Sequence, residues 1–221
     1  MVKKILTLFA LLILAVMISP AAKADQIVLN LTTSNANAGN PWTTPTGNFG
    51  TVTFTLLAGG DVQVSVQLAA GYYMMNDAMG FNWGGSVAAP TIAVSGLPIG
   101  YSLAYGGVPQ TGNQLHMDGF GNYNYGIIGP NVGQGGQEPE GLVNSMVFTI
   151  VGDYTTVQDF VAPNAVGRDV TLHVYNINST AANKTGYVTT GTITTPEPGS
   201  LTLLLLGAGA LLVGARRQKL I

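Results

Sequence analysis

Cysteine is absent from the 221 residues. That excludes disulfides, thiol nucleophiles and Cys-ligated metals together. Stability has to come from a packed core, and the length suffices for one domain of ordinary size. Charge is scarce as well: Asp, Glu, Lys and Arg make up 8% of the chain. Between Asp25 and Thr195 the only cations are Arg168 and Lys184, against nine acids, a net charge of about −7. Two cations cannot neutralise a nucleic-acid backbone, which takes several Lys or Arg contacts. An anionic lipid surface repels such a body. Asn, Gln, Ser and Thr must keep it in solution. His116 and His173 are the only histidines and lie far apart in sequence. A zinc site needs three or four ligands, so both are expected to be structural or surface residues. No G-x-S-x-G elbow, H-E-x-x-H motif or phosphate-binding loop occurs. No enzyme class is indicated, and neither a cofactor nor a metal is expected.

What is present begins with an export signal. Lys3 and Lys4 precede an apolar run from Ile5 to Ile18 that is broken only by Thr7. Pro20 stops it, and Ala22-Lys23-Ala24 supplies small residues at the positions a signal peptidase reads, before Asp25. The run is shorter than the ~20 residues of a bilayer span. Residues 1–24 therefore read as a cleaved signal peptide.

Residues 25–193 read as β. Ile27 to Thr33 alternates apolar and polar residues, as do Thr51 to Leu57 and Asp61 to Ala69. Period two with one polar face marks half-buried antiparallel strands. Gly59-Gly60 before Asp61 makes 50–69 a hairpin. Further strands are expected at 91–95, 101–105, 114–117, 122–128, 144–151, 170–176 and 187–193, between Gly/Pro/Asn clusters. The pattern predicts an all-β fold, an antiparallel β-sandwich of jelly-roll type. One short helix is expected at 157–162, capped by Thr156 with Asp159 three residues on, and stopped at Pro163.

Residues 194–199 are a Thr/Gly/Pro linker, and 200–221 a hydrophobic helix with a basic end. Prolines at 196 and 198 hold Glu197 extended. Leu201 to Ala215 is fifteen residues, about 22 Å as a helix and short of a ~30 Å hydrocarbon core. Arg216, Arg217 and Lys219 keep that end cytoplasmic. Pro196-Glu197-Pro198, the apolar helix and Arg216-Arg217, in this order, resemble the PEP-CTERM sorting signal. The resemblance implies insertion in the inner membrane of a Gram-negative bacterium that makes exopolysaccharide. It also implies recognition and cleavage by an exosortase after signal peptidase has acted. More loosely, "GTVTFT", "VQVSVQLAAGYY", Phe81-Asn82, "TVQDFV" and "TGYV" resemble segments of exported β-rich proteins that carry this signal. That likeness implies no established activity.

Three groups in the body are candidates for a site. Asp118, Asn122 and Asn124 offer oxygens that could hold calcium, although their spacing is not that of an EF-hand and Asp-Gly and Gly-Asn are ordinary turn formers. Glu138 and Glu140 are the closest acidic pair, and on a Gly/Pro loop they read as solvated charges rather than an acid–base pair. Aromatic rings concentrate between 72 and 125. Most are expected in the core. Trp83, Tyr123 and Tyr125 are the candidates for stacking on sugar, with neighbouring amides bonding hydroxyls. The expected function is a non-catalytic matrix or surface component associated with exopolysaccharide. A lectin-like carbohydrate-binding module is the alternative, and a secreted hydrolase is less favoured.

Overall fold

Alternation of side chains decides the first three strands. β1 (Gln26–Ser34), β2 (Thr46–Leu56) and β3 (Val62–Leu68) each bury every second residue over most of their length. Ile27, Leu29, Leu31, Val52, Phe54, Val62, Val64 and Val66 go inward. β2 and β3 form the expected hairpin, with Leu56 opposite Val62. Its turn uses positive φ at Gly59 (109°) and Gly60 (93°), a region that L side chains rarely adopt. This computed structural model describes residues 26–130 and 141–190. They belong to one compact unit, Asp25–Ile193. The signal peptide, the linker, the sorting helix, and Glu138 and Glu140 lie outside the described residues.

The remaining strands are β4 (Tyr72–Phe81), β5 (Ala93–Ser95), β6 (Ser102–Leu103), β7 (His116–Met117), β8 (Gly121–Asn122), β9 (Tyr125–Ile128), β10 (Ser145–Val151), β11 (Val170–Asn176) and β12 (Thr185–Thr190). All named pairings are antiparallel. Ten strands form one sheet in the order β5-β10-β3-β2-β1-β12-β11-β4-β9-β6, and β7-β8 is a separate ribbon. The fold is thus all antiparallel β, as the sequence predicts.

The chain alternates between the two flanks of this sheet. β1 to β3 build one flank, β4 crosses to the other, β5 returns, β6 and β9 cross again, and β10 returns. Phe54 on β2 packs edge-on against Phe81 on β4, 6.4 Å between ring centroids. The flanks therefore face each other like the layers of a sandwich. They are joined through the β1–β12 pairing rather than being separate sheets. A register shift in β1 between Leu31 and Thr33 lies at that join, and such bulges bend strands.

Phe54, Phe81, Phe148 and Phe160 are fully buried. Each contributes about 1.5–3 kcal/mol by leaving water. Trp42 is also fully buried; its ring packs against Gly186, where a Cβ would come within 2.2 Å of it.

Two expectations are revised in detail. The short helix is a 3-10 turn, Val157–Phe160, with Val157 and Phe160 buried. Thr156 caps it by accepting from the Gln158 N–H, one residue earlier than the expected reciprocal pairing with Asp159. The strand expected over 122–128 is broken at Tyr123 and Asn124, so Tyr123 and Tyr125 do not share one strand.

Candidate functional site

β4 carries no clean alternation, and its pairing shows why. Met79 pairs with Leu172 and Met74 with Val174 on β11. The β4 residues between those two methionines therefore bulge past the single residue His173. His173 Nδ1 donates to the Asn76 carbonyl at 2.7 Å and closes the bulge. Asp77 at its crest has φ +48°. Asp tolerates the left-handed region better than most residues, at a cost of order 1–3 kcal/mol. Such strain often marks a working part of a fold.

Below this bulge opens a cleft of about 220 Å³, lined by Asn35, Asn40, Asn76, Asp118, His173, Asn183 and Tyr187 among others. The His173 and Tyr187 rings stack at 4.4 Å and 15°. A carbonyl can only accept, so the bond to Asn76 places the proton of the neutral imidazole on Nδ1. Nε2 is then an acceptor. Burial, outweighing the Asn76 bond and the nearby Asp77 and Asp118 charges, lowers the His173 pKa. Burial pushes the Tyr187 hydroxyl up to about 12, with Asp77 and Asp118 adding to it.

Asn35 fixes the walls of the cleft. Its Oδ1 accepts from Trp42 Nε1 at 3.1 Å and from the Tyr187 N–H at 2.9 Å. Its Nδ2 donates to the Asp118 carbonyl at 3.2 Å. One amide thus ties the end of β1, a buried indole, β12 and the turn of the β7–β8 ribbon. Asp118 is the one carboxylate among the cleft's described lining residues.

Two of the three sugar-stacking candidates lie in the core. Tyr123 is 2% and Tyr125 1% exposed. Tyr123 packs with Ala104, Leu115, Met117 and Phe120. Its hydroxyl lies 2.5 Å from Thr171 Oγ1, within a buried chain through Thr189. Tyr125 stacks on Phe81 at 5.4 Å, and its hydroxyl donates to the Pro90 carbonyl. Neither ring offers a face to a ligand, and both serve the core. Trp83 is half-buried against Phe160 and Tyr154. Its Nε1 already donates to the Val87 carbonyl at 2.8 Å.

Each of the calcium candidates has a polar partner of its own in the protein. Asn124 Oδ1 accepts from the Trp83 N–H and its Nδ2 donates to the Gln110 carbonyl. Asn122 Oδ1 lies 2.8 Å from His116 Nδ1, and Asp118 Oδ1 lies 3.7 Å from His116 Nε2. Sequence reasoning missed Asn35, Asn76, His173 and Tyr187 as a group. Tyr187 sits in the "TGYV" segment, but neither spacing nor periodicity joins it to residues 35 and 76.

Fold and cleft define an antiparallel β-sandwich body with an amide-lined hollow. Its destination is written elsewhere in the chain. Residues 194–218 match the PEP-CTERM protein-sorting motif. The chain carries the sorting signal of an exosortase substrate, which implies an exported protein processed from a membrane-anchored precursor. No curated protein and no solved structure matches the chain.

Proposed function

We propose that the mature body is a non-catalytic surface or matrix component of a Gram-negative, exopolysaccharide-producing host, held there by contact with uncharged polysaccharide. The observation that supports this is the outer face of the flank β5-β10-β3-β2-β1. Cross-strand pairing lines up Gln26, Thr55, Gln63, Thr149 and Ser95 in one row. The next rows are Val28, Thr53, Ser65 and Val147, then Asn30, Thr51, Gln67 and Ser145. None of these residues is charged. Neighbouring positions repeat at about 4.8 Å across the strands and about 6.8 Å along them. Hydroxyls and amides both donate and accept, which suits a polymer surface made of hydroxyls. The scarcity of cations in the body argues against a polyanionic partner.

Co-sedimentation of the exported protein with the host's exopolysaccharide, with and without calcium, tests the reading. Saturable binding that weakens when Thr53 and Ser65 are both changed to Glu supports it. A folded protein that stays in the supernatant rejects it.

A further inference from the structure

We infer that the cleft beneath the β4 bulge is a subsite for one uncharged pyranose unit of a glycan chain. The inference rests on the glycan-associated reading above and assigns it a site away from the flat face.

The first support is unused hydrogen-bonding capacity. Most side-chain amides among the described residues have a hydrogen-bond partner in the protein. Around the cleft several groups have none. His173 Nε2, the Tyr187 hydroxyl, the Asn40 side chain and the Nδ2 groups of Asn76 and Asn183 have no hydrogen-bond partner among the described residues, and the Asp118 carboxylate has only the long contact to His116. No buried side-chain nitrogen or oxygen among the described residues lacks a partner. These unpaired atoms therefore reach water, and the residues that carry them line one hollow. They offer donors from amides and a phenol, and acceptors from an imidazole and a carboxylate. A sugar hydroxyl, which does both, matches that mixture.

Size and charge narrow the ligand. About 220 Å³ falls below the ~300 Å³ at which pockets begin to hold drug-sized ligands. One ring of a longer chain fits that scale. No Lys or Arg stands among the lining residues, while Asp118 does, so uronates and phosphates meet no counter-charge. Asp118 is 79% exposed in its side chain and faces His116. A carboxylate so open to water selects an amine only weakly. The neutral form of His173 adds no charge either. The Asn35 hub and the His173–Asn76 bond hold the walls before any ligand arrives, which lowers the entropic cost of binding.

The test uses the full exported protein, with side-chain NMR signals of His173 and Tyr187 as the readout. Four hexasaccharides serve as probes: a neutral glucan, a neutral galactan, a glucosamine hexamer and a uronate hexamer. Saturable shifts at both residues are expected with at least one neutral hexamer. Asn40→Ala and Tyr187→Phe each remove one hydrogen-bonding group at the surface, and each should weaken that binding about fivefold with the unfolding midpoint retained. The inference is overturned if neither neutral hexamer shifts these signals, if only a charged hexamer does, or if both variants bind as tightly as the parent. Co-sedimentation with exopolysaccharide alongside a silent cleft would sink this inference alone. A responsive cleft without co-sedimentation would sink the matrix reading alone.

Discussion

Phe54 and Phe81 touch across the core, 6.4 Å between ring centroids, although their strands are four steps apart in the sheet. On a flat sheet four steps span about 19 Å. The contact exists because the sheet folds over at the β1–β12 join, and it holds the two flanks together. Phe54→Ala or Phe81→Ala should each cost about 3–5 kcal/mol. A double-mutant cycle in urea should show about 0.5–1.5 kcal/mol of coupling for the ring pair. Strict additivity would mean that the flanks do not meet at these residues.

Tyr123 closes a one-way chain of buried hydroxyls. Thr189 Oγ1 donates to the Val170 carbonyl at 2.8 Å, and Thr171 Oγ1 donates to Thr189 Oγ1 at 2.9 Å. With the Thr171 proton so used, the proton in the 2.5 Å contact must come from Tyr123. Burial, opposed by these hydroxyls, pushes the Tyr123 pKa up to about 12. Tyr123→Phe keeps the ring and removes that donor. It should lower stability by about 1–3 kcal/mol and leave glycan binding unchanged. Loss of binding with unchanged stability would return Tyr123 to a surface role.

The strands with clean alternation were legible in the sequence because one face of each packs inward. β3, β10 and β11 fall within the expected segments, while β1 runs one residue past its segment at each end and β2 begins at Thr46, ahead of the expected 51–57. β4 was not legible. Its Met75, Asn76, Asp77 and Ala78 bulge around His173, and the bulge breaks the period on which strand recognition depends. The cleft was hidden for a related reason. Its residues come from positions 35, 76, 118, 173 and 187, and the β1–β12, β11–β12 and β4–β11 pairings, with the Asn35–Asp118 hydrogen bond, bring them together. Composition pointed to aromatics and amides. It could not say that Tyr123 and Tyr125 face the core while Tyr187 lines a hollow.

Acid should weaken the fold through His173. Burial lowers its pKa in the folded protein below the ordinary 6.5. Between the folded value and 6.5 the unfolded chain binds a proton that the native imidazole does not. Stability is therefore full above about pH 6.5 and falls as pH drops through that window. Asp169 acts in the opposite direction, since burial raises its pKa above 3.8 and the folded state takes its proton first. Comparison with His173→Gln isolates the histidine. Urea midpoints measured from pH 7.5 to 5.0 should decline more steeply for the parent than for this variant. Parallel profiles would show that His173 is not buried against β4.

Processing should leave the body intact. β12 ends at Thr190, and its ladder partners are β1 and β11. The matched motif begins at residue 194, beyond the last strand residue. Cleavage near Pro196-Glu197-Pro198 therefore removes no ladder hydrogen bond described for the sheet. Intact mass of the exported protein should lack Leu201 to Ile221 as well as residues 1–24. Its melting temperature should match that of a body expressed without the tail. Changing Pro196, Glu197 and Pro198 together to Ala should leave the tail attached and move the protein to the membrane fraction. Changing Arg216 and Arg217 to Glu should also leave the tail uncleaved in the intact mass, because the charge that holds that end in the cytoplasm is lost. An exported parent protein that still contains Leu201 would reject exosortase processing, and the tail would then be a permanent anchor.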